Sequence, residues 1–266
     1  MTKLITFHAY RGGTGTTTLT ANVAACVARY GYRVGVLDLN WAAPGLPMLF
    51  GFGEEGVDRS LQDYIQDSST WAAVPYDVSS CIGSGGGDGK VYLIPGAPIP
   101  RHCDSPTSAS PRLIHLTQPQ PLESSQIPAL QGAIATLSQG LKLDYLFLDT
   151  PSGFGSAVWQ TIAPSQVLLL ILRPDQQDYP GTALSIQLAQ HLQIPRCFLV
   201  VNPAPKTLDS DKLKAKLEDT YGLTVAGVLP LSTRMVALAS SDLFVTQYPD
   251  HPLTHGLEAM ARLVML

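Results

Sequence analysis

Short, nearly continuous apolar runs alternate along the chain with longer segments in which apolar residues recur every three or four positions. The runs at Leu4–His8, Arg33–Leu39, Val91–Ile94, Leu143–Asp149, Gln166–Leu172, Cys197–Asn202 and Thr224–Leu229 predict strands. Runs of this kind, apolar without alternation, suit strands covered on both faces. The helical spacing predicts helices near Thr17–Tyr30, Ser60–Ile65, Ser125–Gln139, Gly155–Ile162, Pro180–His191, Ser210–Thr220, Thr233–Ser240 and Pro252–Val264. The alternation of the two patterns defines an α/β class. It implies a doubly wound, mostly parallel sheet of about seven to eight strands with helices on both faces.

One region breaks the rhythm. Residues 77–126 contain SGGGDGK, the short strand VYLIPG, and a stretch rich in Pro and Ser. They are expected to form two long surface excursions, at about 77–90 and 98–125, on a single domain spanning 1–266. No internal repeat and no interdomain linker interrupts the pattern.

Composition narrows the class. Of 266 residues, 45% are hydrophobic and 14% charged, which fits a domain with a large buried core. The net charge of −4 gives no global attraction to nucleic acid or to an anionic membrane, so any such contact needs a local basic face. Cys26, Cys81, Cys103 and Cys197 lack metal-site spacing and suggest reduced thiols. With no leader-like start and no apolar run long enough to span a bilayer, a cytoplasmic setting is expected.

The candidate chemistry begins at Tyr10. The stretch YRGGTGTTTLTANVAACVA follows a predicted strand and opens a predicted helix. Glycines allow the backbone to curl, so that several N–H groups face one anion, and the helix start adds partial positive charge. Three later strand ends carry polar residues where ligands of open α/β sheets collect: VLDLNWAAPGL, LFLDTPSGFG and FLVVNPAP.

Together these motifs resemble the ParA/MinD family of P-loop ATPases, whose phosphate loop follows the deviant pattern K-G-G-x-G-K-T-[ST]. Gly12, Gly13, Gly15, Thr17 and Thr18 fit that pattern; Thr14 is its variable position. Both lysines are missing. Arg11 replaces the one that reaches across a dimer, and Thr16 replaces the one that lies on the terminal phosphates. Arginine keeps the charge with a different reach. Thr16 is neutral, so Arg11 from either subunit is the first candidate for a substitute cation. The carboxysome-positioning branch similar to McdA also lacks a loop lysine and uses one elsewhere; here the obvious place for it is Pro151.

The resemblance implies further roles. Thr17 would ligate Mg²⁺, with Asp38 and Asp149 nearby, and Thr18 would contact the α-phosphate. Asn40 stands where the family has a second acidic residue that orients the attacking water. An amide carries no charge and is no general base, so slow or absent hydrolysis is expected. Gly153 of switch II would sense the γ-phosphate. Asn202 and Pro230 would flank adenine. Asp175 and Gln176 would lie on a dimer face.

The implied function is a nucleotide-dependent dimerising switch that binds ATP and Mg²⁺ and positions a cargo. The cargo could be a plasmid, a chromosome or a protein organelle, reached through an adaptor and non-specific DNA. Lys206, Lys212, Lys216 and Arg234 are the DNA-contact candidates, with nucleoid association as the corollary. The C-terminal segment, with Leu253, Leu257, Met260 and Val264 in one stripe, predicts a docked helix and not a membrane anchor. His251 and His255, four apart, are a minor metal-pair candidate. A scaffold that has lost ATP turnover is the alternative from another class.

Overall fold

In the computed structural model, β1 (Lys3–Ala9) lies in the middle of an eight-stranded sheet. The structure describes residues 1–53, 56–66, 72–83, 87–97 and 122–266. The other strands are β2 (Arg33–Asp38), β3 (Tyr76–Asp77), β4 (Lys90–Ile94), β5 (Tyr145–Asp149), β6 (Val167–Leu172), β7 (Arg196–Ala204) and β8 (Val225–Pro230). Their order is β3-β4-β2-β5-β1-β6-β7-β8, parallel except for the β3–β4 pair.

The helices are α1 (Thr16–Arg29), α2 (Leu46–Leu49), α3 (Leu61–Gln66), α4 (Ile127–Gly140), α5 (Ser156–Ile162) and α6 (Asp178–His191). They continue with α7 (Ser210–Tyr221), α8 (Thr233–Leu238), α9 (Phe244–Gln247) and α10 (Pro252–Met265). The expected excursion at 77–90 is corrected in part. It begins in β3 and continues through a 3-10 turn at Ser79–Ile82, because Tyr76 and Asp77 pair with Leu93 and Tyr92. Residues 84–86 and 98–121, and Cys103 with them, lie outside the described residues.

The two-sided cover explains the unbroken apolar runs. Every residue of β6 is buried. Val167, Leu169 and Ile171 face the core built on α1 and α10, while Leu168, Leu170 and Leu172 face the core shared with α5 and α6. A third cluster, around α3 and α4, takes Leu146 and Leu148 of β5. Helix α1 is buried without a break from Leu19 to Ala28, since it is wedged between the sheet and α10. Its small residues permit that approach.

Helix α10 opens with His251, whose Nδ1 accepts a hydrogen bond from the Leu253 amide at 3.0 Å. Capping is thus the work of this histidine in the fold. Leu253, Leu257, Met260 and Val264 are buried against the core, each burial being worth roughly 1.5–3 kcal/mol. No helix among the described residues is long and apolar enough to cross a membrane.

Candidate functional site

The carboxyl ends of β1, β2, β5, β7 and β8 lie along one edge of the parallel sheet, and the candidate cleft is built there. The loop after β1 turns into α1 through Gly15, which is left-handed at φ 83°. A Cβ there would stand 2.5 Å from the Nδ2 atom of Asn202, so the close approach requires glycine. Asn202 donates from Nδ2 to the Thr14 carbonyl at 2.7 Å. This bond, between residues 188 positions apart, braces the loop against the end of β7. The Thr14 and Thr16 hydroxyls pair at 3.2 Å.

Asp38 and Asp149 stand side by side as register partners at the ends of β2 and β5. Both are buried. Asp38 spends its oxygens on its own loop, accepting from the amides of Asn40 (3.0 Å), Gly45 (2.9 Å) and Leu46 (3.0 Å). A Cβ on Gly45 would stand 3.1 Å from the Thr17 methyl, so this loop lies against the first turn of α1. Burial pushes the Asp38 carboxyl up to about 6, against the pull of those three amides. Asp149 differs: among the described residues neither of its oxygens has a hydrogen-bond partner. Burial, and then the charge of Asp38, raise its carboxyl well above the usual range; the hydroxyls of Thr17 and Thr20 nearby pull the other way. A buried carboxylate with unmet acceptors, Asp149, beside a threonine hydroxyl and the second carboxylate of Asp38, is a donor set of hard oxygens that suits Mg²⁺.

Arg11 points away from the loop it belongs to. Its guanidinium donates to Gln177 Oε1 and lies 3.9 Å from Asp178. Asp178 is buried and holds Arg173, accepting from its backbone amide at 2.9 Å and from Nη2 at 3.0 Å. Within the chain, Arg11 thus meets Gln177 and Asp178 at the start of α6, next to Asp175 and Gln176. Asp175 also pairs with Arg173, at 3.5 Å. Among the described residues, none of the ion pairs or hydrogen bonds places a lysine at the loop.

Asn40 lines a cavity of about 410 Å³ between the loops after β2 and β5, with Pro151 and Ser152 also in its lining. Gly153 donates from its amide to the Ala9 carbonyl at 3.1 Å, which ties the loop after β5 to the end of β1. Beneath it, His8 is fully buried, with Nδ1 2.9 Å from the Thr150 hydroxyl. Burial depresses this imidazole to about 4, so it is neutral at physiological pH. His8 carried no sequence signal, because an isolated histidine in an apolar strand has no motif.

Pro230 joins Gly13, Gly15, Thr18 and Asn202 around a smaller cavity of about 190 Å³ at the far end of the loop. The four basic candidates divide. Lys212 and Lys216 are exposed on α7, Lys212 being paired with Asp209 at 3.3 Å. Lys206 and Arg234 line a separate concavity.

A phosphate-type loop between a central strand and its helix, with paired strand-end aspartates, defines a doubly wound P-loop class of nucleotide-binding domain. The family model for the CobQ/CobB/MinD/ParA nucleotide binding domain matches residues 5–244, and the chain belongs to that family. An uncharacterized ATP-binding protein of Methanocaldococcus jannaschii is 25% identical over 256 residues, covering 96% of this chain and 84% of that protein. The MinC:MinD cell division complex of Aquifex aeolicus contains a chain that superposes with a TM-score of 0.73 at 16% identity, over 99% of this chain and 95% of that one. MinD of Pyrococcus horikoshii, solved with Mg-ADP, gives a TM-score of 0.72 at 17% identity, covering 99% and 96%.

Proposed function

We propose that this protein binds ATP with Mg²⁺ in the cleft and acts as a nucleotide-dependent switch that positions a cellular cargo. The observation that carries this reading is the Asp149 carboxylate, buried and without a hydrogen-bond partner among the described residues, beside Thr17. Retaining such a group costs stability unless a cation completes it. Thr17, Asp149 and, through its charge, Asp38 would hold Mg²⁺, which supplies charge neutralisation for a triphosphate. The amides from Gly12 to Thr18 would cradle the phosphates, with Thr16 neutral among them. Asn202, steadied by Thr14, and Pro230 would border the base.

Nucleotide binding then favours a homodimer, with Arg11 the cation available to either protomer's phosphates. Asn40 can orient a water but takes no proton, so hydrolysis is slow. The exposed lysines of α7 support non-specific DNA contact and hence association with the nucleoid in the cytoplasm. The cargo is a plasmid, a chromosome or a protein organelle such as the carboxysome, engaged through an adaptor.

Titration calorimetry with ATP–Mg²⁺, run beside size-exclusion chromatography with and without nucleotide, tests the reading. Binding together with a shift to dimer size is expected. Absence of both favours the second reading, a scaffold without turnover. That reading draws on Arg11, which is held by Gln177 and Asp178 of its own chain and not by the loop.

A further inference from the structure

Beside the cleft, a cavity of about 690 Å³ opens between the loop before α7, the start of α8 and the α9–α10 connection. Its volume falls in the range of small-molecule sites. It shares Pro230, Leu231 and Ser232 with the cavity at the end of the phosphate loop, so the two lie back to back on one wall.

Its lining carries two basic side chains, Lys206 and Arg234, which share with Arg29, Arg196 and Arg262 the lack of a carboxylate partner among the described residues. Arg11, Arg173, Lys90 and Lys212 each have such a partner. Asp250 stands on the rim of the cavity. The Arg234 guanidinium lies over the Tyr248 ring, 5.2 Å from its centroid. His251 accepts the Leu253 amide on Nδ1, so its neutral form carries the proton on Nε2 and is a donor there. Its imidazole is held below the ordinary range, first by burial and then by the charges of Arg234 and Lys206, which line the same cavity. Unpaired positive groups on one cavity wall repel one another less once an anion joins them.

We propose that this cavity is a binding site for the phosphate group of a small phosphorylated ligand, held by Lys206, Arg234 and His251. Two exposed cations on the wall of one concavity suit a compact dianion, whereas a duplex follows a longer basic track. The site is independent of a nucleotide in the loop, and a protein that fails to bind ATP would still have it.

Calorimetric titration of inorganic pyrophosphate into the full chain tests the proposal, with the Lys206→Gln/Arg234→Gln and Thr17→Ala variants in parallel. The double variant should bind at least about tenfold more weakly, while Thr17→Ala keeps the affinity of this site. Because Arg234 packs on Tyr248, Lys206→Gln alone is read as well; it should weaken binding with an unchanged melting temperature. Unchanged affinity in the double variant overturns the assignment, as does a loss confined to Thr17→Ala, which would place the anion at the loop. Retention of duplex DNA through Lys206 and Arg234, with no heat from pyrophosphate, overturns it in favour of a nucleic-acid face.

Discussion

Asp38 and Asp149 face each other across the β2–β5 ladder, yet only Asp38 has its carboxylate satisfied by amides. A carboxyl whose folded pKa exceeds its unfolded value binds protons more tightly when folded. Folding stability contributed by Asp38 is therefore lost as pH rises from 3.8 towards about 6. Asp149 acts in the same direction, and every tenfold gain in proton affinity on folding corresponds to about 1.4 kcal/mol. Without metal, Asp149→Asn should melt above the parent at about pH 7.5, with the difference shrinking towards about pH 4.5. Added Mg²⁺ should raise the parent and leave the variant unmoved. Calorimetric melting in chelator, then in Mg²⁺, reads both; a difference independent of pH would refute the repulsion between the two carboxylates.

Gly13 and Gly15 are both left-handed, at φ 77° and 83°, but they differ in what surrounds them. A Cβ on Gly13 meets nothing within 4 Å, whereas one on Gly15 meets Asn202 at 2.5 Å. Gly13→Ala should cost only the backbone strain, about 1–2 kcal/mol. Gly15→Ala should cost more, and part of the excess should vanish in an Asn202→Ala background. Urea unfolding of the four proteins gives the coupling. Equal costs for the two alanines would show that Asn202 does not brace the loop.

Arg11 and Arg173 share the buried Asp178, but unequally. The Arg11 contact is long and its side chain is 40% exposed, whereas Arg173 is held through its amide and guanidinium. Arg11→Ala should change stability by less than about 1 kcal/mol. Asp178→Asn should cost about 2 kcal/mol or more, since it strips a charged partner from several donors. If Arg11 substitutes for the absent lysine, Arg11→Ala should also weaken ATP–Mg²⁺ binding at least about tenfold. Chemical denaturation and titration calorimetry on the same samples separate the two effects.

Much of this architecture was legible because parallel strands with two covered faces are apolar throughout, as Val167–Leu172 shows. Strand β3 was not, since two residues, Tyr76 and Asp77, carry no period and gain their pairing from β4. Helices α2 and α9, four residues each, are set by packing instead of pattern. In the site, Gly12, Gly13, Gly15, Asp38 and Asp149 could be read from strand ends. The partners that give them their state could not. Asn202 on Thr14, Gln177 and Asp178 on Arg11, and Thr150 on His8 are contacts between distant segments, which only the closed sheet brings together.

Thr16 offers the sharpest test of what the loop lacks. It is the first residue of α1, half-buried, and its hydroxyl pairs with that of Thr14 at 3.2 Å, a neutral contact of modest worth. A lysine there would add a cation at the helix start, where it opposes the helix dipole. Thr16→Lys should therefore destabilise the nucleotide-free protein slightly, by about 1 kcal/mol or less. If the loop holds ATP–Mg²⁺ as proposed, the sign should reverse with the nucleotide present, since a charged hydrogen bond to phosphate contributes roughly 1.5–3 kcal/mol, an affinity gain of at least about tenfold. If residue 40 positions water as proposed, turnover should stay low in Thr16→Lys and rise only when Asn40→Asp supplies a carboxylate there. Steady-state phosphate release from the two single variants and the double variant decides this. A double variant no faster than either single one would mean that the switch segments themselves, and not the missing charges, prevent hydrolysis.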